Sequence, residues 1–237
     1  MAVYVYAITA ATHPLRLDDL NGVGNPPAQL RTVQGGILSA VVSDAPQGLR
    51  AKRRDVGAHQ AVQERLMAEG TVLPLRFGLL APDDDAVQAV LEENAERYTE
   101  RLAALEGCAE YHLKAAQDED ALLRQILQES PEARRLNDDI RAGHNNPDLP
   151  LALGELVANE VQARQEALAA AVIEALRPLA RDERASQTAG NDFLNVSFLV
   201  DRRREDRFTA TEKNLAAELG EDFDWRLRGP LPPYSFV

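Results

Sequence analysis

Phe193-Leu194-Asn195-Val196-Ser197-Phe198-Leu199-Val200 is the stretch on which the fold turns. β-Branched and aromatic residues dominate it. Gly190 precedes it and Arg202-Arg203-Arg204 follows, so residues 193–201 read as a strand closed by a turn. Downstream, residues 205–219 read as a helix with Phe208, Leu215 and Leu219 facing inward and Gly220 as its stop. Phe223, Trp225 and Leu227 then alternate with Asp224, Arg226 and Arg228, the pattern of a last strand. Upstream lies a short strand at 184–188 and, before it, the longest helix, 152–179. Its Leu153, Leu156, Val157, Val161, Leu168, Val172, Leu176 and Leu179 share one side. A strand at 109–115 precedes these, with Ala109, Tyr111, Leu113 and Ala115 facing one way and Glu110, His112 and Lys114 the other. The order is β-α-β-β-α-β, the split βαβ or ferredoxin-like arrangement. Helices at 118–128 and 130–141 and a loop at 143–150 then form a helical insertion over about 118–150.

The first half reads β-β-β-α-β-α. Residues 2–9 alternate and are rich in Val and Tyr. Residues 12–30 are a loop broken by Pro14, Gly22, Gly24, Pro26 and Pro27. Runs at 31–34 and 37–43 flank Gly35-Gly36, a two-residue hairpin turn in which both glycines would take positive φ. Val56, His59, Val62, Leu66 and Met67 mark a helix over 55–69, capped by Gly70. Thr71-Val72-Leu73-Pro74-Leu75-Arg76-Phe77-Gly78 follows. Pro74 confines it to an irregular or edge strand. Arg76 stands among Leu75, Phe77 and Leu79, where a charge needs a partner. The expectation is therefore a buried strand with a specific partner for Arg76. Asp83-Asp84-Asp85 then opens one helix running to Leu105, with Val87, Val90, Leu91, Asn94, Tyr98 and Leu102 on its stripe. The expected class is α+β with two domains. Residues 1–105 form an N-terminal α+β domain, and residues 106–228 a modified ferredoxin-like domain.

Composition narrows function by exclusion. The chain has 237 residues, Lys+Arg 26 against Asp+Glu 38, and a net charge of -12. Phosphate backbones and anionic membranes select clustered cations, so this balance argues against nucleic acid and lipid-membrane partners. One cysteine, Cys108, permits no internal disulfide and no cysteine metal cluster, which fits a reducing cytoplasm. No basic leader followed by an apolar run begins the sequence, and no apolar run approaches bilayer length.

The sequence carries few marks of chemistry. Gly22-Val23-Gly24 lacks the third glycine and the helix of a dinucleotide loop. His13, His59, His112 and His144 are scattered, with no i,i+4 pair for zinc. His59 lies on the apolar face of its helix and reads as a core residue. The three aspartates at 83–85 lack the spaced oxygen ligands of a calcium loop. Glu110 and Lys114 read as a surface pair, and Cys108 as a small buried residue. No catalytic residue, cofactor or metal is expected. The alternative is a small-ligand or enzymatic site on a ferredoxin-like scaffold, for which Arg76, His59 and Glu110 would have to converge on a polar pocket.

The chain ends Gly229-Pro230-Leu231-Pro232-Pro233-Tyr234-Ser235-Phe236-Val237. Three prolines break helix and ladder alike, and Tyr234 and Phe236 offer apolar anchors, so the tail reads as extended and packed. This ending resembles the gas vesicle protein F/L family (GvpF/GvpL). So do Val3-Tyr4-Val5-Tyr6-Ala7, Val72-Leu73-Pro74-Leu75-Arg76-Phe77-Gly78 and the strand at 194–200. Gly107 with Glu110 and Lys114 is similar to the family's glycine-to-strand element. Leu231 stands where the family often carries a tryptophan. The resemblance implies two α+β domains, with the tail, 229–237, packed between them. Arg76, Phe77, Pro230, Pro232, Pro233, Tyr234 and Phe236 would then be structural, inter-domain residues. It also implies an accessory or minor structural protein of gas vesicles, the gas-filled shells that give microbes buoyancy. Its partners would be the small hydrophobic shell protein GvpA and other accessory Gvp proteins. No catalysis is implied, and the place of action would be the cytoplasm during assembly and the gas vesicle itself.

Overall fold

The computed structural model describes residues 1–143 and 146–237, so His144 and Asn145, within the expected loop at 143–150, lie outside the described residues. The chain divides into two compact units. The first comprises Met1–Tyr111, Leu199–Arg202 and Gly229–Val237, and the second His112–Phe198 and Arg203–Arg228.

Unit 1 is built on β1 (Val3–Ala10), β2 (Leu30–Gly35), β3 (Leu38–Asp44), α1 (Arg53–Glu69), β4 (Leu73–Pro74), β5 (Leu80–Ala81), α2 (Asp84–Glu93) and α3 (Ala95–Leu105). Its sheet runs β2-β3-β1-β4, and β5 also pairs with β1, so β4 and β5 share one flank of β1. The β2–β3 register pairs Gly35 with Leu38, which moves the turn one residue on, to Gly36-Ile37. Only Gly36 there has positive φ, at 60°. Gly35 is needed for a different reason. A Cβ on it would come 2.7 Å from Leu91 Cβ of α2, so its bareness lets the helix lie against the strand. The expected single helix over 83–105 is two, parted at Asn94, whose side chain donates back to the Val90 carbonyl at 2.9 Å. Asparagine competes for backbone groups in this way and favours helix ends. Asp83 caps α2, accepting from Ala86 N–H at 2.8 Å. The core joins Val3, Val5, Ile8, Leu38, Leu73, Leu91, Leu105 and Phe236.

Residues 73–81 form a pair of clamps on β1, with an arch between them. Leu73 and Pro74 pair with Ile8 and Ala7, and Leu75 N–H donates to Tyr6 O at 3.0 Å. Leu79 O accepts from Val5 N–H at 3.1 Å, and Leu80 and Ala81 complete the flank. Between those contacts the chain rises off the sheet. Gly78 turns it back with φ at 96°. Phe77 points inward and Arg76 outward, so Arg76 is exposed. Among the described residues its side chain has neither a hydrogen bond nor an ion pair. The expectation of a buried, paired Arg76 is corrected: the arch carries the guanidinium to solvent, so no partner is required.

The remaining elements are β6 (Cys108–Gln117), α4 (Glu119–Glu129), α5 (Pro131–Arg141), α6 (Asp148–Leu176), β7 (Asp182–Ala185), β8 (Asp192–Asp201), α7 (Glu205–Leu219) and β9 (Phe223–Leu231). The four strands form a sheet in the order β7-β8-β6-β9. α6 starts four residues before the periodic pattern, because Pro150 falls in its first turn, where a missing N–H breaks no intrahelical bond. Asp118 and Ser130 cap α4 and α5 through bonds from Ala121 and Ala133 N–H. Leu122, Ile126 and Ala133 form a small core, against which Leu127, Leu153, Leu156, Val157 and Val161 pack partly buried. Phe198 and Phe208 meet at 5.4 Å between ring centroids.

Candidate functional site: an aromatic cluster, a tail clasp and an apolar groove

The densest polar arrangement of unit 1 surrounds His59. Alternation along β1 sets Tyr4 and Tyr6 on one face, and α1 lays His59 and Gln63, one turn apart, across them. The Tyr4 and Tyr6 rings lie 4.7 Å apart. His59 stacks on Tyr6 and meets Tyr4 and Phe77 edge-on, each at 5.7 Å. The hydrogen bonds fix the tautomer. His59 Nε2 lies 3.0 Å from Leu75 O, which can only accept, so Nε2 carries the proton. Nδ1 then accepts from the Tyr4 hydroxyl at 2.8 Å, and the same hydroxyl oxygen receives Gly78 N–H at 3.1 Å. Burial holds the His59 pKa below its ordinary value, and it pushes the Tyr4 and Tyr6 phenols upward. Tyr6 OH receives Val23 N–H at 2.8 Å and meets Ser43 Oγ at 3.0 Å, tying the 12–30 loop to the sheet.

The tail reaches the same cluster. Tyr234 OH lies 3.4 Å from His59 Nε2, and burial pushes its pKa up to about 12. One residue on, Ser235 donates through its N–H (2.9 Å) and its Oγ (2.7 Å) to the two carboxylate oxygens of Glu110. Glu110 is buried, which corrects its reading as half of a surface pair with Lys114. A carboxylate on a buried strand face needs donors, and a tail N–H with the adjacent hydroxyl supplies them. Phe236 enters the core, Pro232 and Pro233 are buried, and Pro230 is exposed. At Gly229 a Cβ would stand 2.5 Å from Tyr111 Cδ1 and 3.0 Å from Glu110 O. Gly229→Ala is therefore expected to lower stability by about 1–3 kcal/mol, read from the urea midpoint. An unchanged midpoint would mean the tail is not held at this spacing.

The structure thus gathers Phe77 and Tyr234 around His59 and places Phe236 in the core of Val3, Leu38 and Leu105, while Arg76 and Pro230 are exposed. His59 and Glu110 are both engaged in internal bonds and Arg76 is exposed with no side-chain bond to either, so the three share no polar network. Tyr4, Tyr6 and Gln63 were not anticipated in the cluster, and Glu110 was named for a surface pair or a polar pocket but not as the acceptor of the tail. The signals that point to them are the repeated tyrosine in β1 and the acidic residue on a strand flanked by buried positions.

A second feature of unit 1 is open. A groove of about 280 Å³ runs between the β5 flank and α2, lined by Val5, Leu75, Leu79, Leu80, Val90 and Tyr98 among others. Leu79, Leu80 and Val90 are 46%, 51% and 46% exposed. Large apolar side chains grouped on a surface mark an interaction site. Among the described residues no group of His, Cys, Asp or Glu could hold a metal ion, and no helix is long and apolar enough to cross a membrane.

Comparison with known proteins supplies the identity that geometry alone leaves open. Residues 2–237 match the family model described as gas vesicle synthesis protein GvpL/GvpF. The chain belongs to this family. It is 46% identical over 238 residues to gas vesicle protein F of a Streptomyces strain, across the whole of both chains. It is 29% identical to gas vesicle protein L of the same strain, across 99% of this chain and 92% of that one. The crystal structure of GvpF from Anabaena superposes with a TM-score of 0.86 at 22% identity, covering 99% and 97% of the two chains. GvpF from Microcystis aeruginosa gives 0.81 at 24% identity. At those identities the likeness establishes the fold, a mixed α+β architecture. Family membership assigns the chain to gas vesicle formation.

Proposed function

We propose that this chain is an F-type accessory protein of gas vesicle assembly that binds the shell protein GvpA and other Gvp proteins, and acts by binding without catalysis. The end-to-end family match carries the reading. The F-type assignment rests on 46% against 29% identity to the F and L proteins of one Streptomyces strain. Unit 1 makes the contact with GvpA. Its groove offers Leu79, Leu80 and Val90 to an apolar segment of the shell protein, and the short β4 and β5 flank allows strand addition beside it. Shielding that segment before it joins the shell is the accessory role, in the cytoplasm and at the growing vesicle. The second unit is a modified ferredoxin-like domain with a helical insertion. The supporting observation is the β-α-β-β-α-β chain order, with α4 and α5 added, in a sheet ordered β7-β8-β6-β9.

The test is copurification with GvpA together with complementation of a deletion strain. Leu80→Asp combined with Val90→Asp is expected to reduce GvpA recovery at least tenfold and to abolish vesicles, with the melting temperature nearly unchanged because both side chains are exposed. Full GvpA recovery by the folded double variant would remove the groove from the proposal. Intact vesicles in the deletion strain would remove the assembly role.

A further inference from the structure

We propose that a second groove, between α4 and α6 of unit 2, receives a basic amphipathic helix of a partner protein. The groove measures about 900 Å³. Leu122 and Leu123 of α4, Val157, Val161 and Ile173 of α6, and Phe193 give it an apolar floor. Small residues keep it open. Ala158 and Ala170 are exposed along it, and a Cβ on Gly154 would meet nothing within 4 Å. α6 shows the consequence: in 29 residues only Val172 and Leu176 are fully buried, although its apolar positions recur at helical spacing. Its stripe is thus half covered by this chain, a state that suits a further helix laid alongside. From Gly154 to Ile173 the lining of α6 extends about 28 Å at the rise of an α-helix, the length of roughly five turns.

Charge selects the occupant. Among the described residues the groove is lined by Glu119, Glu166 and Asp192 and by no lysine or arginine. At one end it continues into a concavity lined by Asp118, Glu221, Asp222 and Asp224, where the sole cation of the lining, Arg226, is paired to Asp192 and Asp224. An apolar floor with a carboxylate rim fits a helix whose apolar stripe is edged by Lys or Arg, and that potential also steers its approach. The same rim repels nucleic acid, and a second copy of this chain, at a net charge of -12, is disfavoured as occupant.

The probe is an 18-residue peptide of Leu and Lys placed at helical period, with a Leu and Glu counterpart, titrated onto the full chain by fluorescence anisotropy. The basic peptide is expected to bind, to lose at least tenfold in affinity between 50 and 300 mM salt, and to outbind the acidic one at least tenfold. Ala170→Arg, which fills the groove with a cation, is expected to weaken it at least tenfold. Glu93→Lys, a charge change of the same sign on exposed unit 1 surface, should leave binding within twofold. Should Ala170→Arg fail to fold, Glu166→Lys on the rim reads the same effect. Equal binding of both peptides, equal weakening by Glu93→Lys, or self-association of the chain that Ala170→Arg abolishes would each overturn the proposal.

Discussion

Phe236→Ala is expected to lower the unfolding free energy by about 3–5 kcal/mol, the range for deleting a buried phenyl ring. In a chain of this size that corresponds to a melting temperature roughly 10 °C lower. The magnitude follows from where the ring sits. It is 6% exposed and belongs to the same core as Val3, Leu38, Leu91 and Leu105, residues far from it in sequence. The ring closes a segment in which β9 ends at Leu231 and a single 3-10 turn, Tyr234–Phe236, follows, against the expectation that the prolines would exclude both, so little regular structure holds it. What does hold it is specific: Ser235 gives two hydrogen bonds to the buried Glu110, and Gly229 lets the backbone pass the Tyr111 ring. Ser235→Ala removes one of those bonds and should cost about 1 kcal/mol. Deleting residues 231–237 removes all of them and should destabilise more than Ser235→Ala does. Melting temperatures of the three variants order the contributions. A Phe236→Ala chain that melts with the parent would show that the tail is not part of the core.

The tail also marks the boundary of what the amino-acid sequence reveals. Strands with two buried faces or strict alternation were readable: β1, β3, β6, β8 and β9 all follow their patterns. So were helices with strong caps, such as α2 at Asp83 and α4 at Asp118. What failed depended on contacts distant in sequence. Arg76 looked buried because its neighbours are apolar, yet whether a residue faces the core in a two-residue strand followed by an arch is set by the pairing to β1. The turn at Gly36-Ile37 shifted because Gly35 is reserved for close approach of Leu91, 56 positions further on. The clasp at Glu110 was hidden for the same reason: its donors lie |i−j|=125 away. Short patterns report local preference, and each of these positions is decided by packing between elements. The family resemblance was legible because it rests on ordered local segments. The two grooves were not, since a groove is the space left between elements.

Protonating His59 is expected to destabilise unit 1, which makes stability fall as the pH drops below about 6.5. The ring is 3% exposed, and burial depresses its folded-state pKa. The unfolded chain therefore binds this proton at a higher pH than the folded chain does. By linkage, stability rises with pH wherever the unfolded state holds more protons. The contribution of His59 is thus full above the unfolded value of about 6.5 and is lost as pH falls toward the depressed folded value. The loss can reach about 1.4 kcal/mol per pH unit. Geometry gives the same sign. Nδ1 accepts from Tyr4 OH, so a second proton would face a hydroxyl already engaged with Gly78 N–H, and the charge would sit among Tyr4, Tyr6 and Phe77. His59→Phe retains a ring of similar size but leaves Tyr4 OH and Leu75 O without this partner. It is expected to cost about 2–4 kcal/mol at pH 7.5, from two buried polar groups at about 1–2 kcal/mol each. Urea unfolding of both chains at pH 7.5 and 5.5 separates the effects. The parent should lose more stability than the variant over that interval, so the cost of the substitution should shrink at the lower pH. An equal fall in both chains would assign the pH dependence to groups other than His59. A variant as stable as the parent at pH 7.5 would mean that the Tyr4–His59–Leu75 chain of hydrogen bonds contributes nothing to holding α1 and the 71–78 arch on the sheet.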